Sequence, residues 1–233
     1  MKKTPADIFL IAGGRESRKQ GADPLLARVI SLIGLQKPAV SYIGAASNDN
    51  RVFFMWIKAM LKKAGAGSVR LAALASKRAD LAKARQLLQK ADLVFVSGGD
   101  VELGMKVLEQ TGTAKLLMEL YRDGKPFLGL SAGSIMLARS WVRWPDADND
   151  AAAETFPCLG FAPLLCDMHA EKEDWEELKT LLRLSGPETG FGIPAGAALR
   201  VKADGSLSAL GRPVPRFKFQ DGRIQRLTDL ENE

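Results

Sequence analysis

The sequence predicts a mostly parallel β-sheet covered by helices on both faces, and three observations lead there. Short, near-continuous apolar runs alternate with helical patterns through the first 140 residues. The runs are too apolar for a sheet with one wet face, which would alternate apolar and polar residues. Most of them end in small or polar residues: Gly13-Gly14, Ala45-Ala46-Ser47, Ser97-Gly98-Gly99-Asp100 and Ser131-Ala132-Gly133. The carboxyl ends of parallel strands are where α/β sheets hold ligands, and small residues there allow close backbone approach.

The elements follow in order. "DIFLIAGG" reads as the first strand; its apolar run, Ile8 to Ala12, is shorter than the hydrophobic region of a secretory signal. "PAVSYIGAAS" is the second strand and "NRVFFMWIKAMLKKAGAG" an amphipathic helix with a glycine stop. "SVRLAALAS" is the third strand and "KRADLAKARQLLQKA" a helix of strong helix formers. "DLVFVSGGD" is the fourth, with Asp100 placed to cap the next helix. "VELGMKVLEQTGTAKLLMELYRDG" carries one or two helices, "PFLGLS" is the fifth strand, and "AGSIMLARS" opens another helix.

Beyond residue 140 the pattern changes. "WVRWPDADNDAAAETFP" is polar, acidic and turn-rich, and reads as a surface loop. "FAPLLCDMH" reads as a strand of the same sheet ending at His169, and "EKEDWEELKTLLRL" as a helix. "GFGIPAGAALRV" and "SLSALG" are strands, and "RPVPRFKFQDGRIQRL" a terminal hairpin, so a small antiparallel extension is expected. With no repeat and no low-complexity linker, residues 1–233 read as a single domain.

Composition narrows the functional classes. The chain has 233 residues, a formal charge of +6 and 46% hydrophobic content. Its basic residues are interleaved with acids, with no basic block carrying aromatics, so no nucleic-acid partner is expected. No apolar run approaches the ~20 residues of a membrane helix, so no membrane association is expected and a cytoplasmic location is the default. Two cysteines, Cys158 and Cys166, and a single histidine supply neither a disulfide framework nor a zinc set, and no metal or cofactor is expected. "GGRESRK" could cradle a phosphate but reads better as a solvated basic turn.

One stretch carries chemistry. Gly129-Leu130-Ser131-Ala132-Gly133 matches G-x-S-x-G between a predicted strand and a predicted helix. A sharp turn there strains the serine backbone, exposes its Oγ and aims the following N–H at a developing oxyanion. The alternative is a tight strand–helix turn that merely needs small residues. Gly98 or Gly99 could add a second oxyanion donor, and His169 is the sole imidazole available as base. Cys166 lies in an apolar strand, and neither cysteine sits at a strand–helix turn. Trp56 and Trp175 lie in helical patterns and read as packing residues. Trp141 and Trp144 flank Arg143 near the predicted site, as a pocket wall or a loop seal.

"LVFVSGGD", "GKPFLGLSAGS", the apolar strand ending in histidine and "GFGIPAG" together resemble peptidase E, the aspartyl dipeptidase family related to the cyanophycinases. The resemblance runs from about Asp7 to Arg200. It implies a three-layer α/β/α sandwich similar to class I glutamine amidotransferases, with serine in place of their cysteine. It implies Ser131 as nucleophile, His169 as base, Ala132 with Gly98 or Gly99 as oxyanion hole, and a role for Asp146, fifteen residues after the nucleophile. The expected substrate is a small peptide or an isopeptide-like amide, and the expected state a monomer or homodimer.

Two departures bear on mechanism. Ala195 stands where the resemblance places a glutamate that orients the histidine, and Asp174 where it places an arginine suited to an aspartyl side chain. Arg139 and Arg143 are the other cations near the nucleophile. Asp146, Asp167 or Glu171 could orient His169, or the pair could act as a dyad. A binding protein without catalysis and an esterase with the order Ser131, Asp146, His169 are the alternatives.

Overall fold

The structure is a computed structural model that describes residues 5–13, 23–146 and 148–233. Five parallel-sheet strands lie where the apolar runs predict them: β1 (Ile8–Ile11), β2 (Ala39–Ile43), β3 (Ser68–Ala72), β4 (Leu93–Val96) and β5 (Phe127–Leu130). With β10 (Ala198–Val201) and β11 (Leu207–Leu210) they form a seven-stranded sheet in the order β11-β10-β1-β5-β4-β2-β3. β1 to β5 run parallel, and β10 and β11 join as antiparallel edge strands. Every residue of β1 and β4 is buried, as their unbroken apolar character requires.

Helices cover both faces. α1 (Pro24–Leu32) and α2 (Arg51–Lys63) bury Val29, Ile30, Phe54 and Ile57 against Phe9, Tyr42, Phe95 and Leu128. α3 (Leu81–Lys90), α4 (Val101–Gln110), α5 (Thr113–Arg122) and α6 (Ala132–Leu137) pack on the other face against Ile8, Leu10, Val94, Val96 and Phe127. α4 and α5 part at Gly112, whose φ of +66° ends the first helix and enters the second. α1 is an element the sequence reading passed over. Its signals are present: Asp23 caps it by accepting the N–H groups of Leu25 and Leu26, and Pro24 stands at its first position.

A second sheet of six strands, β13-β12-β9-β8-β6-β7, holds much of the remainder. It comprises β6 (Ser140–Arg143), β7 (Glu154–Pro157), β8 (Leu165–Met168), β9 (Thr189–Ile193), β12 (Val214–Gln220) and β13 (Arg223–Leu230). Its inner face, with Cys166, Met168, Phe191 and Ile193, joins the core of α4 to α6. Its outer face carries α7 (Glu176–Ser185) over Val142, Leu165 and Phe217. The fold is thus a layered α/β sandwich with an antiparallel C-terminal part. The hairpin β12–β13 turns at Asp221-Gly222, both at positive φ, as a two-residue turn between twisted strands needs.

Three expectations are corrected. The strand ending at His169 belongs to the second sheet rather than to the sheet of Ser131. The segment read as a loop after residue 140 contains the antiparallel pair β6–β7, disguised by the polar, turn-rich residues between its strands. "GFGIPAGAALRV" is not one strand: β9 ends at Ile193, and the chain crosses to the first sheet before β10.

Asp49 fastens the carboxyl ends of β2 and β3. It is buried, and its Oδ2 accepts the N–H groups of Leu74 at 2.6 Å and Ala75 at 2.7 Å. Asp49→Ala strands two backbone donors and is expected to cost about 2 kcal/mol, with Asp49→Asn costing less because an acceptor remains. Urea unfolding of the three proteins measures the difference.

Candidate active site

Gly129 and Gly133 make the turn that presents Ser131. A Cβ at Gly129 would lie 2.5 Å from Ser134 Cα, and one at Gly133 would lie 2.1 Å from the Val96 carbonyl oxygen. Neither contact is possible for a side chain, so α6 can start directly over the ends of β4 and β5 only with glycine at both places. Ser131 takes φ +52° and ψ −122°, a conformation L residues rarely adopt. Its N–H donates to the Ile11 carbonyl at 2.8 Å, and the buried Ser134 hydroxyl donates to the same oxygen at 3.0 Å. These two bonds tie the turn to β1.

His169 meets Ser131 from the other sheet. It directly follows β8, has φ +48°, and donates its N–H to the Ile193 carbonyl at 2.9 Å. Its Nε2 stands 2.8 Å from Ser131 Oγ. The two residues are 38 positions apart, and both carry strained positive φ values. Ser131 is half-buried and His169 exposed, so the pair is open to solvent and to small molecules.

Gly98 lies against the same turn. A Cβ there would meet both the Leu130 carbonyl oxygen and Ser131 Cβ at 3.2 Å, with Ala132 N at 3.8 Å. Gly99 has φ +144° and packs against the Ala46 carbonyl, which also accepts the Asp100 N–H at 2.8 Å. Asp100 caps α4 by accepting the Leu103 N–H at 2.8 Å. Ala132 is the first residue of α6, so its N–H has no partner within that helix.

The carboxylates around His169 divide by position. Asp146 is exposed, and its Oδ1 accepts the Asp148 N–H at 3.2 Å. Asp167 is buried in β8; its Oδ1 accepts the Met168 N–H at 2.7 Å, while its Oδ2 is buried without a partner. Burial pushes the Asp167 carboxyl up to about 7, partly opposed by the Met168 N–H and reinforced by Glu177, Glu173 and Glu171. Glu171 accepts the Ala195 N–H at 2.7 Å. Among the described residues, none of these carboxylates makes a hydrogen bond or ion pair with the His169 ring, whose partner is Ser131.

The nearby cations are engaged. Arg143 bridges Glu102 and Glu154, each at 2.7 Å, and lies over the Phe156 ring. Arg139 pairs with Glu188, and Asp174 with Lys179 at 2.7 Å. Arg212, which the sequence reading did not single out, donates to the Ala195 carbonyl at 2.9 Å. Nothing in its local sequence, "LGRPV", marks it, because its neighbour Ala195 becomes adjacent only through the fold.

The thiols are poorly suited to attack. Burial pushes Cys158 up to about 12 and Cys166 well above its ordinary value. Trp175 packs as expected, buried with its indole over Gly192, where a Cβ would lie 2.5 Å from the ring. Trp56 does not: it is 41% exposed and stacks on Phe53 at the surface of α2. Apart from Gly13, the basic turn "GGRESRK" lies outside the described residues. Among the described residues, no helix is long and apolar enough to cross a membrane.

The fold and this arrangement define an α/β protein with a serine on a strained strand–helix elbow, paired to an imidazole from a second sheet. The chain belongs to peptidase family S51, which it matches over residues 8–208. Peptidase E of Streptomyces coelicolor is 34% identical over 141 residues, 56% of this chain and 57% of that protein. An uncharacterized peptidase of Listeria innocua is 31% identical over 123 residues, 52% of this chain and 57% of that one. An uncharacterized peptidase of Pasteurella multocida is 33% identical over 75 residues, 31% of this chain and 36% of that one. The matches thus span from about a third to under three fifths of these relatives' lengths. The crystal structure of a peptidase from an acI-B1 Actinobacterium superposes with a TM-score of 0.73 at 21% identity, covering 96% of this chain and 94% of that one.

Proposed function

We propose that the chain is a serine peptidase of the peptidase E type, cleaving a short peptide or isopeptide-like amide. The observation that carries this is the 2.8 Å contact between Ser131 Oγ and His169 Nε2 at the elbow. Family membership and the similarity to peptidase E of Streptomyces coelicolor support it.

In the proposed reaction His169 holds its proton on Nδ1, and Nε2 removes the proton from Ser131 Oγ as it attacks the carbonyl carbon. The oxyanion is met by the Ala132 N–H and by the backbone N–H of Gly98 or Gly99. His169 then gives its proton to the leaving amine, and water repeats the sequence to release the acid. No cofactor takes part. An exposed imidazole beside a half-buried serine suits a short, unfolded substrate. Since the described carboxylates do not reach the ring, Ser131 and His169 work as a dyad. Asp146→Asn then leaves kcat/KM within about threefold, whereas a loss approaching 10⁴-fold would make Asp146 the orienting acid.

The direct test is labelling by a fluorophosphonate together with turnover of a di- and tripeptide library. Ser131→Ala is expected to abolish labelling and lower kcat by about 10³-fold or more. A wild-type protein that resists the probe and cuts no library member would overturn the reading. That outcome favours a binding protein on the same fold, the second reading, which Ala195 and the lack of a carboxylate on the imidazole support. Strictly Ser131-dependent turnover of p-nitrophenyl esters but not of peptides would instead indicate an esterase.

A further inference from the structure

We propose that Glu171 and Arg212 are positioning residues for His169, acting through the backbone of Ala195. The proposal rests on the dyad reading above, because it answers what sets the imidazole when no carboxylate does. Ser131 follows β5 of the seven-stranded sheet and His169 follows β8 of the six-stranded sheet. Their 2.8 Å contact therefore depends on how the two sheets are held relative to each other. Near the site the chain crosses between sheets three times: α6 leads from β5 to β6, residues 194–197 lead from β9 to β10, and residues 211–213 from β11 to β12.

The last two crossings meet at one residue, Ala195. Glu171 Oε1 accepts the Ala195 N–H at 2.7 Å, and Arg212 Nη1 donates to the Ala195 carbonyl at 2.9 Å. The two charged groups also face each other at 3.8 Å. On one side of this clamp the Ile193 carbonyl accepts the His169 N–H at 2.9 Å. On the other, the Gly196 N–H donates to the Gly13 carbonyl at 3.0 Å, and Ile11, at the end of the same strand β1, holds the Ser131 N–H at 2.8 Å. Three backbone hydrogen bonds, joined through the chain segments 193–196 and 11–13, thus connect His169 to Ser131, and Ala195, pinned by Glu171 and Arg212, sits in the first of those segments. Hydrogen bonds to charged groups are the stronger kind, which suits a seam that must hold sub-ångström geometry. Gly211 completes the contact, since a Cβ there would lie 2.4 Å from the Gly196 carbonyl oxygen. Glu171 is the only one of the two that comes from the His169 side, two residues after the imidazole; Arg212 belongs to the link between β11 and β12.

The chain has a single histidine, so its ring can be read without assignment ambiguity by long-range ¹H–¹⁵N NMR. The wild type is expected to show one ring with the proton on Nδ1. Glu171→Ala and Arg212→Ala are expected to shift it toward mixed tautomers and to lower kcat about 10- to 100-fold, with KM within twofold. Glu171→Gln keeps an acceptor for the Ala195 N–H and is expected to recover most of the wild-type spectrum and rate. The double alanine variant is expected to be little worse than the poorer single variant, because both residues act on one link. Ring spectra and kcat that stay at wild-type values in both alanine variants overturn the proposal. So does a rise in KM at constant kcat, which would place the pair on the substrate. If Glu171→Ala does not fold, Arg212→Ala carries the comparison, with Glu171→Gln as the variant that keeps the link. If the wild type hydrolyses nothing, the peptidase reading fails, while the ring spectra still decide whether Glu171 and Arg212 position His169.

Discussion

Gly133→Ala is expected to destabilise the protein by roughly 3–5 kcal/mol and to abolish labelling of Ser131. The added methyl group would sit 2.1 Å from the Val96 carbonyl oxygen, 2.6 Å from the Val96 carbonyl carbon and 2.8 Å from the Ser97 carbonyl oxygen. All three are main-chain atoms of β4 and the turn after it, so no rotamer change relieves the overlap. The remedy is for α6 to lift away from β4, which moves Ser131 off its bonds to Ile11 and His169. Gly34→Ala is the control. Gly34 also has positive φ, +76°, but a Cβ there meets nothing within 4 Å. Backbone strain alone is expected to cost about 1–2 kcal/mol, with labelling intact. Urea unfolding and fluorophosphonate labelling of both variants separate the two effects. Gly133→Ala with wild-type stability and labelling would show that the elbow is not held by this contact.

Asp167→Asn is expected to stabilise the protein at pH 8 and to do little at pH 4. In the folded chain Asp167 keeps its proton up to about pH 7, against an ordinary value of 3.8, chiefly because it is buried. The folded state therefore binds more protons than the unfolded state between these values, and stability falls as pH rises through that window. The ionised carboxylate at pH 8 costs the folded state about 4 kcal/mol. Asparagine carries no charge at any pH and removes that cost while keeping an oxygen for the Met168 N–H. The gap in Tm between variant and wild type should open from near zero at pH 4 to about 10 °C at pH 8. A gap that stays constant with pH would mean that Asp167 is ionised, and compensated, in the folded state.

Much of this protein was readable along the chain because its signals are local. The five parallel strands are near-continuous apolar runs, and a parallel sheet covered on both faces is where such runs are buried. The elbow was legible because a nucleophile turn imposes glycine at two fixed offsets, and Gly129 and Gly133 show why: each faces main chain at under 3 Å. α1 was legible in principle from Asp23 and Pro24 but follows a basic, glycine-containing stretch that masks its start. β6 and β7 were obscured because each is four residues long and the acidic, turn-rich stretch between them reads as a loop. Trp56 looked like a packing residue because helical spacing says which residues share a face, not which face meets the core.

Residue types and spacing alone determined the layered α/β class, the serine elbow, the capping aspartate at 100, and the single imidazole candidate. Those properties depend on backbone sterics and hydrophobic periodicity within a dozen residues. Only the tertiary structure decided that Ser131 and His169 come from different sheets, that Asp146 faces solvent while Asp167 is buried, and that Glu171 and Arg212 close on Ala195. These relations join residues 17 to 41 positions apart across the crossings between the two sheets. Where the chain turns from one sheet to the other is set by the packing of both cores together, and no local pattern encodes it.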